Sequence, residues 1–156
     1  MSSTSFSIRP ARHSDLPFVQ SCAVEAYEIY VERIGKTPAP MVADFASSLT
    51  RCHLDIIMDG GTPAGYAVTY PRDDHLFVEN IALLIKHQGK GMARQLFKHF
   101  ENRAIQENHC GIELYTNEKM TENLSLYPHL GFKEIERKTE DGFKRVYFRK
   151  DLINPK

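Results

Sequence analysis

A chain of 156 residues with 42% hydrophobic side chains is long enough to bury both faces of a sheet within one domain, residues 1–156, without disulfide or metal staples. Twenty Lys and Arg balance twenty Asp and Glu, which excludes a whole-molecule field that would draw the protein to nucleic acid or an anionic membrane, so any anion site must be local. Cys22, Cys52 and Cys110 are odd in number and lack C-x-x-C spacing, which argues against a disulfide frame or zinc knuckle and for reduced, buried thiols in a cytoplasmic protein.

The N-terminus, MSSTSFSIRP, holds no apolar stretch suited to a signal peptide, and no run approaches the roughly 18 apolar residues of a membrane span. Phe6 to Arg9 reads as a short strand. Ser14 and Asp15 offer a cap and Pro17 a first turn for a helix reaching about Ile34, with Leu16, Val19, Ala23, Ala26, Tyr27 and Tyr30 as its apolar stripe. Pro38 and Pro40 interrupt that pattern, and a second helix is expected from Met41 to Leu49.

Three strands follow: His53 to Met58, Ala64 to Tyr70 beyond the turn Asp59-Gly60-Gly61-Thr62-Pro63, and Leu76 to Leu84 beyond Pro71-Arg72-Asp73-Asp74. After Gly89 the period changes. Met92, Leu96, Phe97, Phe100, Ala104 and Ile105 recur at helical spacing, and the helix ends near Glu107. Gly111 to Thr116 is a compact strand, Thr121 caps a short helix through Leu130, and Gly131 suits a left-handed terminus. Phe132 to Arg137 and Phe143 to Arg149 form a hairpin across Glu140-Asp141-Gly142. The order predicts an α+β fold with one central crossover.

The segment Lys86-His87-Gln88-Gly89-Lys90-Gly91-Met92-Ala93 puts two glycines where a strand ends and a helix begins. A helix N-terminus carries unpaired N–H groups and about half a positive charge, so a phosphate suits it, and glycines let the backbone come close. The Walker pattern is absent, and Arg94 stands where the third glycine of a dinucleotide fingerprint would be. What remains, Q-x-x-G-x-A, resembles the pyrophosphate loop of the GNAT superfamily of N-acetyltransferases. The likeness runs through IALLIKHQGKGMARQLF and NLSLYPHLGF and covers the order of elements from Phe6 to Arg149. AYEIYVERIGKTPAPM and YTNEKMTEN are similar to a bacterial subgroup of these enzymes.

That resemblance implies a mixed, mostly antiparallel sheet of about six to seven strands flanked by four helices. It implies acetyl-CoA as co-substrate, with no metal, and direct attack by a primary amine in a ternary complex. The pyrophosphate would lie on Gln88, Gly89, Lys90, Gly91, Met92, Ala93 and Arg94, although the side chains of Lys90 and Arg94 equally suit a solvated face. The pantetheine arm would follow Ile81, Ala82 and Leu83, the Leu83 N–H meeting the thioester carbonyl, with Asn117, Asn123 and Tyr127 also at the CoA.

Acetyl transfer to an amine needs a base, because an alkylammonium is only about one part in a thousand neutral at pH 7.4, and an acid for the thiolate. Glu79, a charge inside the apolar run LFVENIALL, is the candidate base, the other reading being a carboxylate at a sheet opening that meets water. Asp73, Asp74 and His75 are explained by turn chemistry. Tyr127 matches the family's proton donor, the other reading being a core tyrosine. Two departures stand beside it: Pro128 follows directly, and Asn123 precedes it by four where many relatives carry Asn seven before, here Met120.

The same resemblance implies an acceptor side on Tyr27, Tyr30, Arg33, Pro40, Met41 and Asp44, the two tyrosines being equally readable as core. Glu25, Glu28, Glu32 and Asp44 lean toward a cationic amine or read as a solvated face. The acceptor is a small-molecule or peptide amine; nucleic acid and membrane are not expected, and a homodimer is left open. The competing class is a non-catalytic CoA-binding sensor or partner-binding module of the same fold, motivated by Pro128 and the shifted Asn. Seven histidines raise a metal reading, but H-E-x-x-H and P-C-x-x-C are missing, as is G-x-S-x-G.

Overall fold

The computed structural model describes residues 6–152; MSSTS, part of the N-terminus read as lacking a signal peptide, lies outside them. Seven strands form one sheet in the order β1-β2-β3-β4-β5-β7-β6, from β1 (Phe6–Pro10), β2 (His53–Asp59), β3 (Thr62–Arg72), β4 (His75–Leu83), β5 (Gly111–Asn117), β6 (Lys133–Glu140) and β7 (Phe143–Asp151). The pairing is antiparallel at β1–β2, β2–β3, β5–β7 and β6–β7 and parallel at β4–β5, as the predicted crossover requires. The chain divides into two compact units, Met1–Thr69 with Asn80–Gln95, and Tyr70–Glu79 with Leu96–Lys156.

In the first unit, α1 (Leu16–Tyr27) carries Pro17 in its first turn, as predicted. The single helix expected to Ile34 instead tightens into a 3-10 turn, Glu28–Tyr30, before the short α2 (Val31–Ile34), which Gly35 ends at φ 86°. Asp15 does not cap the helix with its side chain. Its carboxylate takes the Arg12 N–H at 2.7 Å and the Arg9 guanidinium at 2.8 and 2.9 Å, and the Arg9 hydrogen bonds hold it down at a pKa of about 2.

The second helix, α3 (Phe45–Arg51), starts later than Met41. Ala39–Val42 makes a separate 3-10 turn, and the Asp44 side chain accepts the Ser47 N–H at 3.1 Å, which fixes the start at Phe45. Leu16, Val19, Cys22 and Ala23 of α1 and Phe45 of α3 bury against Leu54, Ile56, Tyr66, Val68 and Ala82. Gly65 is required in this core: a Cβ there would stand 2.2 Å from the Ala82 carbonyl oxygen.

In the second unit the main helix, α4 (Met92–Gln106, of which Leu96 onward belongs here), sends Phe97 and Phe100 inward. α5 (Thr121–His129) has Met120, not Thr121, at its cap position and keeps Pro128 inside its last turn. A proline fits there because the helix ends two residues on: Gly131 has φ 97°, as predicted, and the Phe132 N–H returns to the Tyr127 carbonyl at 3.0 Å. β6 and β7 meet at a turn in which Asp141 and Gly142 both have positive φ, 51° and 80°. β6 is an exposed, charged edge. Of the three free thiols Cys22 is buried and Cys52 partly so; Cys110 is exposed, in the loop before β5, which corrects the expectation that all three are buried. Among the described residues no helix is long and apolar enough to cross a membrane.

Candidate active site

The Gln88–Ala93 segment lies wholly in the first unit. After β4 a single 3-10 turn, Ile85–His87, leads to Gln88 in extended geometry; Gly89 and Gly91 then take φ of 77° and 78°, in the left-handed region that favours glycine. A Cβ built on either would meet nothing within 4 Å, so these glycines serve backbone shape and leave open space beside it. The first hydrogen bond of α4 runs from the Gln95 N–H to the Gly91 carbonyl at 3.4 Å, so the N–H groups of Met92, Ala93 and Arg94 precede the ladder. A backbone with two open glycines ahead of a 15-residue helix is suited to a bulky anion such as a pyrophosphate.

The side chains around this loop are differently used. Gln88 reaches back to the Leu83 carbonyl at 3.0 Å, and the Lys90 ammonium stands 3.5 Å from the Asp59 carboxylate. Met92 is buried, Ala93 half-buried and Arg94 exposed, so Met92 can offer a ligand only its backbone. Asp59 and His87, which form a hydrogen bond at 3.0 Å, were missed by the sequence reading.

The end of β4 is held from α1. The Tyr27 hydroxyl donates to the Ile81 carbonyl at 2.8 Å, and the Tyr66 hydroxyl donates to the Asn80 side-chain oxygen at 2.9 Å. Burial raises the Tyr66 hydroxyl well above its ordinary range, which keeps it a donor. Cys22, beside the Ala82 carbonyl at 3.9 Å, is pushed up to about 12 by burial and is therefore a neutral thiol. Glu25 accepts the Ile85 N–H at 2.8 Å. Glu25 and Asp44 thus each accept a backbone N–H and serve the fold.

Among the acceptor-side candidates, Tyr27 and Tyr30 have ring centroids 6.5 Å apart, and the Arg33 guanidinium stacks over Tyr30 at 4.9 Å. Met41 sits half-buried in the 3-10 turn that Pro38 opens and Pro40 continues.

The second unit carries the remaining candidates. Glu79 is half-buried in β4; burial pushes its carboxyl above the ordinary range, and the Arg145 guanidinium opposes that shift. Arg145 stacks over Tyr115 at 4.3 Å and pairs with Glu140 at 3.3 Å, while Tyr115 lies against Phe77 and Tyr147 at 5.8 and 5.5 Å. Sequence reading did not single out Arg145, because a basic residue in a polar hairpin carries no local signal. Tyr127 is buried against Phe97, Phe132 and Phe148 at centroid distances of 5.8, 6.0 and 5.6 Å. Asn123 donates to the Thr116 hydroxyl at 3.1 Å, and the Asn117 side chain accepts the Lys119 N–H at 2.9 Å. Asp73, at φ 53°, makes the turn before β4; Asp74 pairs with Arg149, and buried His75 lies beside Asp74 and Glu113.

A family model described as the acetyltransferase (GNAT) family matches residues 19–132. Among solved structures, the chain is similar to ribosomal-protein-S18-alanine N-acetyltransferase from Escherichia coli, with a TM-score of 0.74 and 20% identity over 94% of this chain and 93% of that one. It is similar to the PaiA N-acetyltransferase from Thermoplasma acidophilum in complex with coenzyme A, with a TM-score of 0.78 and 15% identity over 95% and 99%. A GNAT family acetyltransferase from Elizabethkingia anophelis with acetyl-CoA bound gives 0.68 and 20% identity over 94% and 98%. At these identities the likeness is one of fold. No curated protein matches the sequence.

Proposed function

The chain belongs to the acetyltransferase (GNAT) family, and on that premise we propose that it transfers the acetyl group of acetyl-CoA to a primary amine by direct attack. The observation that carries the reading is the loop Gln88–Ala93, with two left-handed glycines, open space where side chains would stand, and a long helix directly behind it. Two of the similar folds, by their own descriptions, hold coenzyme A or acetyl-CoA, which supports the same ligand here.

Acetyl-CoA supplies the activated acyl group; the chain's own residues bind, orient and move protons. Amides of the loop and of the first turn of α4 take the pyrophosphate, and the Leu83 N–H faces the charge that develops on the thioester oxygen, a kind of contact worth about 3 kcal/mol in other enzymes. Glu79 removes the proton of the incoming ammonium, directly or through water. Its raised proton affinity brings it closer to working pH and so improves the match between base and substrate. Tyr127 is the proton donor to the departing sulfur.

The test is thiol release from acetyl-CoA against a panel of primary amines, run beside a calorimetric titration with CoA. The expected result is CoA binding together with thiol release and an equal amount of acetylated product for at least one amine. Binding without thiol release for any amine would favour a non-catalytic CoA-binding module; absence of binding would remove the reading altogether.

A further inference from the structure

We infer that Asp59 is a positioning residue for the CoA loop: from the end of β2 its carboxylate holds His87 and Lys90, which bracket Gln88 and Gly89, and so sets the loop's shape before the ligand arrives. This rests on the functional reading above. Gln88 to Gly91 lie between a 3-10 turn and a helix, outside any strand pairing, and two of the four residues are glycine. Such a segment has the most conformational freedom to lose when a ligand orders it. Anything that restricts it beforehand lowers the cost of binding.

The restraint is built from one fixed anchor. The Asp59 backbone is paired on both sides, to Phe6 on β1 and to Thr62 on β3, so its carboxylate projects from the sheet and not from a free loop. Its Oδ2 stands 3.0 Å from His87 Nδ1 and 3.5 Å from Lys90 Nζ. The His87 ring is buried, and its Nε2 meets no hydrogen-bond partner among the described residues. A carboxylate can only accept, so Nδ1 is the nitrogen that carries the proton, and a part-buried charge-assisted hydrogen bond of this length is the stronger kind. The Lys90 side chain is 46% exposed, so its ion pair is the weaker of the two contacts. His87 is the main tether and Lys90 the minor one.

Two effects of the carboxylate oppose each other. It orders the loop, and it also places a negative charge near an anion site while engaging Lys90. Repulsion at an exposed loop is screened by water and salt, whereas the ordering term is not, so the restraint outweighs the repulsion. Asp59→Ala should weaken CoA binding about tenfold, and Asp59→Asn, which keeps an oxygen acceptor for His87, should weaken it less.

The experiment is calorimetric titration of wild type, Asp59→Ala, Asp59→Asn, His87→Gln and the Asp59→Ala/His87→Gln double variant with CoA at 0.15 M salt, with each ligand-free melting temperature recorded to verify folding. The expected pattern is a raised Kd in Asp59→Ala and His87→Gln, a double variant no weaker than the worse single, and a KM for acetyl-CoA that rises while kcat and the amine KM hold. Folded Asp59→Ala and His87→Gln proteins that bind CoA as tightly as wild type would overturn the inference and leave the functional reading standing. Tighter binding by Asp59→Ala would overturn it too, showing that Asp59 restrains Lys90 from the phosphate. A wild-type protein that fails to bind CoA would remove both.

Discussion

Replacing Gly91 with Val separates the two things this glycine does. Its φ of 78° lies in the left-handed region, and a Cβ there would meet no protein atom within 4 Å. The fold therefore bears only the backbone strain of a side chain in that conformation, about 1–2 kcal/mol. For a protein of this size each kcal/mol lowers the melting temperature by roughly 2–4 °C, so the ligand-free variant should melt about 2–8 °C below wild type. Ligand binding should suffer far more, because the branched side chain fills the space a phosphate needs. Wild type at a hundredfold excess of CoA over Kd gains about 2.7 kcal/mol, or roughly 5–11 °C, and Gly91→Val should gain nothing measurable. Gly35 supplies the control: its φ is 86°, it is equally open, and it ends α2, so Gly35→Ala should carry a comparable backbone cost yet keep the full CoA-induced rise. The assay is a thermal melt with and without CoA for the three proteins. A folded Gly91→Val protein that melts higher with CoA by the wild-type amount would refute the phosphate-cradle argument.

Glu79→Gln should lower turnover about a hundredfold near neutral pH, with part of the loss recovered at higher pH where more amine is neutral; wild-type rates at pH 7 would move the base elsewhere. Because burial raises the folded carboxyl of Glu79 above 4.5, its contribution to stability is complete below that value and is lost as pH rises through the raised one. The same variant should therefore melt slightly higher than wild type at pH 7 and no higher at pH 4, and a lower melting temperature at pH 7 would contradict the desolvation. Tyr127→Phe keeps the ring that packs on Phe97, Phe132 and Phe148, so the CoA Kd should stay within a few-fold while kcat drops about tenfold to a hundredfold; an intact kcat would remove the acid role. Gly65→Ala pushes a Cβ to 2.2 Å from the Ala82 carbonyl oxygen, backbone that cannot swing aside, and should cost roughly 2–3 kcal/mol in urea unfolding; an unchanged midpoint would show that β3 and β4 can part there.

The sequence by itself determined what depends on near neighbours. The change from alternating to 3.6-residue spacing after Gly89, the turn glycines at 131 and 142, and the strand starting at Gly111 are set by residues a few positions apart, and the structure places each of these within a few residues of its expected position. The glycine turn between β4 and α4 was legible for the same reason, since glycines at fixed offsets and a strand-to-helix switch are written locally, whereas the mixed sheet of about six to seven strands was implied by the family resemblance. Boundaries failed at the end of α1, where a 3-10 turn follows Tyr27, and at α3, whose start the Asp44 cap delays to Phe45; Asp15 stands at the expected cap position, but its side chain turns to Arg9. Only the tertiary structure decided which side chains support the candidate site. Tyr27 reaches the carbonyl of Ile81 across 54 positions, and Asp59 meets His87 across 28. The need for glycine at 65 comes from the approach of Ala82, and the proton affinity of Glu79 from its burial and from Arg145 on a different strand. These pairings depend on strand register, twist and the way α1 lies on the sheet, which many residues settle jointly through packing; no short stretch of sequence encodes any one of them.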